Sequence, residues 1–321
     1  MKEISVNEFE NIKIGQAEDP VGATGCTVFI SEKGMCAGID IRGGGPASRE
    51  TPLLDPLMAA NEIHAIVLGG GSAFALGTAD GVMECLEERG IGLEVAVTHV
   101  PLVVQSDIFD LTVGDCKARP DKVMGYKAAA AALESPNYSD GNYGAGCGAS
   151  VGKMCGIERC MKSGIGSYAV QIGELKIGAV VVVNALGDIY GQDGRKYAGV
   201  LNEDKSGFAN TYELLEGSLE PKENKFADNT TIGVIMTNAK FDKADLCKIA
   251  GMGHDGYAKA IFPVHTSADG DSIYAVSLGD VAADKDTVGS LGAEVMRRAI
   301  LRAVDNAESA YGLTAKRDLV F

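Results

Sequence analysis

Asp228-Asn229-Thr230-Thr231-Ile232-Gly233-Val234-Ile235-Met236 is where a polar stretch of this chain turns into an apolar one. Between Val200 and Asn229 the sequence changes character: Asn202, Glu203, Asp204 and Lys205 open it, and Glu220 to Asp228 carries few apolar residues. Such a stretch reads as an exposed connection. It ends directly at Thr230, and Thr231 to Met236 reads as a buried strand. Ile177 to Val183 is apolar at every position. A strand without a polar face belongs at the centre of a sheet covered on both sides, so these two segments set the fold class.

Working outward, helices and strands alternate. Val28 to Ile41 reads as extended segments broken by Gly34 and Gly38 and ended by Gly43, Gly44, Gly45 and Pro46. Ala65 to Leu68 is a short buried strand, and Leu76, Ala79, Val82, Met83 and Leu86 then recur at helical spacing before Gly90, a helix-ending residue. Leu93 to Val104 contains a β-rich run, and Val123 to Leu133 is an Ala-rich helix that stops before Pro136. A helix from about Asp242 places Leu246, Ile249, Ala250 and Tyr257 on one stripe, with Pro263 beyond its end. Ser272 to Leu278 is a strand, and Val288, Leu291, Val295, Ala299 and Val304 mark a long last helix. This is an α/β pattern, expected as a single domain over residues 1–321.

Composition bounds the function. The chain is 46% hydrophobic and 23% charged, ordinary values for a globular protein with a large core. Its formal net charge of −15 argues against nucleic acid as a partner, because backbone affinity comes from clustered Lys and Arg releasing counterions. Met1 to Gly15 has acidic residues and no apolar core of a signal, and no apolar run approaches the ~20 residues that span a bilayer. The expectation is a cytoplasmic protein with no membrane partner. Eight cysteines, at 26, 36, 85, 116, 147, 155, 160 and 247, include no CxxC pair, so reduced, mostly buried thiols are expected.

Several motifs are decoys. Gly148-Ala149-Ser150-Val151-Gly152 fits GxSxG, with His254 and His265 downstream as bases, but that elbow needs an apolar strand before it, and Gly144 to Gly148 is glycine-rich. A phosphate loop fails there too, because Cys147 stands at the first glycine position and Met154 follows Lys153. Gly69-Gly70-Gly71-Ser72 reads as a tight strand-to-helix turn, since Phe74 occupies the last glycine position of a GxGxxG match. His254, His265, Asp269 and Asp271 lack any metal-site spacing, so no metal or other cofactor is expected.

Thr230 offers chemistry of its own. A hydroxyl at a loop-to-strand boundary can attack the preceding carbonyl, form an ester and, after hydrolysis, leave Thr230 as a new N-terminus. The freed α-amine, with a reference pKa of about 7.7–8.0, then sits beside the hydroxyl as its base. Asn-Thr alone also fits a polar strand start. Asp269 and Asp271 flank Gly270 before a strand, where residues two apart share a face, so both carboxylates can meet one site or cap a turn. Asn184, at the end of a buried strand, can donate to an oxyanion or cap a turn.

The chain resembles the L-aminopeptidase/D-esterase family, which includes β-peptidyl aminopeptidases and 6-aminohexanoate-oligomer hydrolases. The matching blocks are Thr24-Gly25-Cys26-Thr27-Val28, Gly70-Gly71-Ser72-Ala73-Phe74, Ile108-Phe109-Asp110-Leu111, Gly144-Ala145-Gly146 with Gly152-Lys153, Val182-Val183-Asn184, Asn229-Thr230-Thr231-Ile232 and His265-Thr266 with Asp269-Gly270-Asp271. The resemblance implies a four-layer αββα sandwich of the aminopeptidase and ornithine acetyltransferase type. It implies autocleavage between Asn229 and Thr230 into chains 1–229 and 230–321, with Thr230 as nucleophile of an N-terminal-nucleophile hydrolase. By motif position it implies Asp269 and Asp271 as organising carboxylates, Asn184 as an oxyanion donor and Lys153 as a supporting charge. Small peptide, amide or ester substrates and a homo-oligomer of cleaved protomers follow from the same resemblance. The nylon-oligomer branch has a tyrosine where this chain has Phe109, a departure that weakens that branch's substrate. An acyltransferase of the ornithine acetyltransferase type and a non-catalytic binding protein on the same fold are the alternatives. Substrate-binding residues are not assigned.

Overall fold

The computed structural model describes residues 1–219 and 229–320, so the polar segment 220–228 lies outside the described residues. Ten strands, numbered in chain order, build one continuous ladder: β1 (Lys2–Ile4), β2 (Lys13–Asp19), β3 (Thr24–Ile41), β4 (Ala47–Arg49), β5 (Ile63–Gly69), β6 (Val103–Asp107), β7 (Ile165–Ile172), β8 (Leu175–Asn184), β9 (Thr230–Ala239) and β10 (Ser272–Val281). The helices are α1 (Thr78–Glu87), α2 (Lys122–Glu134), a short α3 (Thr211–Glu216), α4 (Lys243–Ala260) and α5 (Lys285–Asp305).

Strand β3 joins two sheets. Its last residues, Cys36–Ile41, pair with β10 in the order β1-β7-β8-β9-β10-β3. Its first residues pair with β2 and β5, and β6 and β4 extend that second sheet. The expected breaks inside this segment are absent, and each glycine has another use. Gly34 has φ of +84°, and the pairing with β5 shifts register between Ile30 and Met35, so the strand carries an irregularity there without ending. Gly38 passes so close to α4 that a Cβ would lie 2.3 Å from the Cys247 nitrogen. The β-rich run of Leu93–Val104 resolves into the pair Leu93–Val95 and Thr98–Val100 followed by the start of β6.

Alternation along the strands separates three apolar layers. In β8, Ile177, Ala179, Val181 and Val183 face α4 and α5 together with Ile235 and Ile273. Val180 and Val182 point the other way and meet Phe29, Ile66, Leu68 and Val104 of the second sheet, along with Ile232, Val234, Tyr274 and Val276. The opposite face of the second sheet, through Val28, Ile30, Ala65 and Val67, packs on Val82 and Leu86 of α1 and Ala128 and Ala132 of α2. The layers are therefore α, β, β, α, as the resemblance implied. The helix starts are fixed locally: Asp121, Asp242 and Asp284 each accept a backbone N–H of the first turn of α2, α4 and α5. Among the described residues no helix is long and apolar enough to cross a membrane.

Candidate functional site

β9 lies between β8, antiparallel, and β10, parallel. Thr230 is its first residue and pairs directly with Asn184, the last residue of β8. Directly opposed residues share a face, with Cβ atoms about 4.5–5.5 Å apart. By alternation from Val182 and Ile232, that is the face turned toward the second sheet. The site thus sits at one end of the inter-sheet core. Thr230 is 4% exposed and Asn184 fully buried.

The Thr230 hydroxyl donates to the carbonyl oxygen of its own predecessor, Asn229. The same oxygen accepts the Gly270 N–H at 3.0 Å. Gly270 leaves room for this arrangement, because a Cβ there would lie 2.8 Å from Thr230 Oγ1. The scissile bond of the resemblance is therefore a ladder peptide, buried and bonded on its carbonyl side.

Asp269 and Asp271 are buried at 2% and 1% exposure. Asp271 Oδ1 accepts the Thr231 N–H at 2.7 Å, and Oδ2 accepts the His265 N–H at 3.1 Å and faces His265 Nδ1 at 2.8 Å. Asp269 Oδ2 accepts the N–H and hydroxyl of Thr266 at 2.7 and 2.6 Å. Two consecutive residues, His265 and Thr266, thus grip the two carboxylates. Because Gly270 faces the Thr230 hydroxyl, Asp271 alternates onto the opposite face of β10, toward Tyr257 of α4. Burial, reinforced by the charge of Asp271, lifts the Asp269 carboxyl to a pKa of about 6.

Asn184 is a hub. Ser150 N–H and Lys153 Nζ are both donors, at 3.1 and 2.6 Å, so they define the amide oxygen, and Nδ2 donates to the Phe109 carbonyl at 2.9 Å. Lys153 Nζ also donates to the Asn184 main-chain carbonyl at 3.3 Å. Lys153 thereby holds the Asn184 amide oxygen. Beside it, Asp110 accepts the Gly71 N–H and the Thr24 hydroxyl, both at 2.7 Å, and burial raises its pKa.

Sequence reasoning missed Lys162 and the main-chain groups around this hub. Lys162, fully buried, donates to the carbonyls of Gly146, Ala149 and Ser163 and so ties down the loop that carries Ser150. Burial draws its pKa down to about 7. A lysine in an apolar setting was its one sequence signal. The donors Ser150 N–H and Gly270 N–H, and the acceptor Phe109 O, are main-chain groups and leave no residue-type signal at all.

The remaining motifs separate from the site or fall away. Ser150 lies on the two-residue strand Ser150–Val151, and a left-handed Gly152 and a short turn of 3-10 helix follow it in place of the α-helix a nucleophile elbow needs. Gly69 to Ser72 is the strand-to-helix turn expected, with Gly71 and Ser72 at positive φ. His254, whose pKa burial lowers to about 4, faces the main-chain oxygen of Asp40 at 3.1 Å. Burial pushes up the thiols of Cys26, Cys147 and Cys160, away from thiolate chemistry.

The family model of peptidase family S58 matches residues 3–317. An uncharacterized aminopeptidase of Mycobacterium leprae is 34% identical over 336 aligned residues, spanning 96% of this chain and 92% of the relative. A 6-aminohexanoate-oligomer endohydrolase of Paenarthrobacter ureafaciens is 29% identical over 314, spanning 92% of this chain and 84% of the relative. The structure of an L-aminopeptidase D-Ala-esterase/amidase from Ochrobactrum anthropi, described as a prototype of the serine aminopeptidases and a variant of the Ntn-hydrolase fold, aligns with a TM-score of 0.65 at 15% identity. That match covers 94% of this chain and 86% of the other. At such identity it speaks for the fold alone. The match over nearly the whole length, with the sequence blocks falling at one end of the inter-sheet core, places the chain in peptidase family S58.

Proposed function

We propose that the chain is an amide hydrolase of the aminopeptidase kind, activated by its own cleavage between Asn229 and Thr230. The observation that carries this reading is the Thr230 hydroxyl against the Asn229 carbonyl, at the buried head of a central strand. Attack of Oγ1 on that carbonyl carbon forms a C–O bond, the C–N bond breaks, and the departing nitrogen becomes the α-amine of Thr230. Water then hydrolyses the ester, leaving the Asn229 carboxyl and restoring the hydroxyl. In turnover the same hydroxyl attacks a substrate amide or ester, with the α-amine as base and the Asn184 amide as donor to the oxyanion. Asp269 and Asp271 organise the junction through Thr231 and the His265–Thr266 turn. Small aminoacyl amides, peptides or esters are the substrate class, and the active form is an assembly of cleaved protomers. The name of the Mycobacterium leprae relative, at 34% identity, supports the aminopeptidase side of the family, as does Phe109.

Mass spectrometry of the purified protein tests this. The expected result is two fragments, 1–229 and 230–321, together with turnover of aminoacyl amides. An active protein whose chain stays intact would overturn the reading.

A further inference from the structure

We infer that the Gly270 N–H is the oxyanion donor of the self-cleavage, distinct from the Asn184 amide that serves turnover; the inference rests on the cleavage proposed above. Asn229 O accepts the Gly270 N–H at 3.0 Å. This is the oxygen on which negative charge develops when Thr230 Oγ1 adds to the carbonyl carbon. Asn184, although paired with Thr230 across the β8–β9 ladder, donates from Nδ2 to the Phe109 carbonyl, while its oxygen is held by Ser150 N–H and Lys153 Nζ. The two donors approach from opposite neighbours of β9: Gly270 from the β10 side and Asn184 from β8. A peptide carbonyl in the β9 strand points to one neighbour, and that of Asn229 points to β10.

The placement follows from the sheet. Asn229 and Asp269 form a parallel bridge that prolongs the β9–β10 ladder by one step beyond Thr230. The scissile carbonyl is thus oriented by the regular spacing of the ladder, with no side chain needed to aim it. Gly270 is also the residue whose missing side chain leaves room for the attacking hydroxyl: a Cβ would meet Thr230 Oγ1 at 2.8 Å, Thr230 Cγ2 at 3.2 Å and the Gly45 carbonyl at 3.0 Å. One residue therefore offers a donor to the developing oxyanion and space to the nucleophile. The proton balance is unchanged by this donor. Its N–H stays on Gly270 throughout, while the hydroxyl proton ends on the departing nitrogen of Thr230.

The decisive experiment replaces Gly270 in the full-length chain by glycolic acid, which exchanges its N–H for an ester oxygen and leaves the shape nearly the same. The same exchange at Val276, further along the same edge of β10, controls for a weakened ladder. Appearance of fragment 230–321 is followed by mass spectrometry, and turnover of an aminoacyl p-nitroanilide is measured on material that has finished cleaving. The expected result is self-cleavage slowed by roughly 10²–10³-fold at Gly270 alone, a larger factor than any loss of turnover in the cleaved enzyme. Cleavage at the parent rate, or equal slowing by the Val276 ester, would overturn the inference and leave the proposed function standing. If the parent chain itself never cleaves before Thr230, the proposed function fails first. A second readout does not depend on cleavage. In the Thr230→Ala chain, a ¹³C-labelled Asn229 carbonyl should absorb at lower wavenumber with glycine at 270 than with glycolate, and equal wavenumbers would refute the donor.

Discussion

Gly270→Ala puts a methyl group where the structure has least room for one. Gly270 is not at positive φ, so the backbone accepts alanine and the effect is one of contact. The new Cβ would stand 2.8 Å from Thr230 Oγ1 and 3.0 Å from the Gly45 carbonyl, against an ordinary contact limit of 3.4 Å. Relief therefore requires the hydroxyl to retreat by about 0.6 Å, since the Gly45 carbonyl belongs to a backbone turn tied to the Asp269 carbonyl through Gly45 N–H at 2.9 Å. Overpacking of this size costs about 1–3 kcal/mol. Misplacement of a reacting group by 1 Å costs up to ~10²-fold, so the attack on Asn229 should slow by about ten- to a hundredfold. The alanine variant keeps the 270 N–H, which separates crowding from loss of the donor. The assay is a pulse of cell-free synthesis followed by a timed chase, with intact chain and fragment 230–321 quantified by mass and thermal unfolding measured in parallel. A folded alanine variant that cleaves at the parent rate would refute the geometry on which the reasoning depends.

Other perturbations act on other parts of the site. Thr230→Ala should abolish self-cleavage and turnover together, and Thr230→Ser should retain part of each; turnover by a folded alanine variant at the parent rate would make Ser150 the nucleophile to test. Lys153→Met removes a charge-assisted hydrogen bond worth about 1.5–3 kcal/mol from the Asn184 oxygen, so kcat/KM for an aminoacyl amide should fall about ten- to hundredfold if the bond is realised in the transition state. For Asp269 the sign is fixed by its raised pKa of about 6: the folded chain holds this proton more tightly than the unfolded one, so the group's contribution to stability is present below pH ~4 and is lost as pH rises through 6. Measured in an uncleaved Thr230→Ala background by urea unfolding, Asp269→Asn should therefore gain about 2–3 kcal/mol relative to its parent between pH 4 and pH 7, and a difference independent of pH would contradict the shift.

The parts of the fold that were legible in sequence are those where one physical cue dominates. Ile177 to Val183 carries no polar face, and it lies between β7 and β9 with apolar layers on both sides. The β3 strand was obscured because glycine reads as a break, whereas Gly34 serves an irregularity and Gly38 a close helix contact. In the site, Thr230 and Asn184 stood at strand ends where a hydroxyl and an amide fit a bland role equally well, and it was the resemblance that singled them out. Lys153 entered through the resemblance, and the structure gives it a physical task on the Asn184 oxygen. The spacing of Asp269 and Asp271 allowed two carboxylates to lie together, but it did not fix their orientation. That depends on which face Gly270 presents to Thr230, a matter of register between β9 and β10 that no local pattern reveals.

That register would also make the proposed cut at this peptide tolerable. The Asn229–Thr230 bond lies at the extreme end of the β9 ladders, so breaking it leaves the pairing from Thr231 onward with β8 and from Ile232 onward with β10 in place. Residues 230–320 supply β9, β10, α4 and α5, which are the middle of the first sheet and the helices that cover it. Ile235, Ile273, Leu246 and Val295 from this part interlock with Ile177, Val181 and Val183 from the other in one apolar layer, and Val234 and Tyr274 do so with Phe29 and Leu68 in the next. Separating the pieces would expose both layers, at about 1.5–3 kcal/mol for each large apolar side chain returned to water. A cut half a strand further along, between Val234 and Ile235, would instead divide β9 in the middle of the sheet. The position of Thr230 at the head of the strand would thus let a buried bond be both held rigidly for the proposed attack and dispensable to the fold.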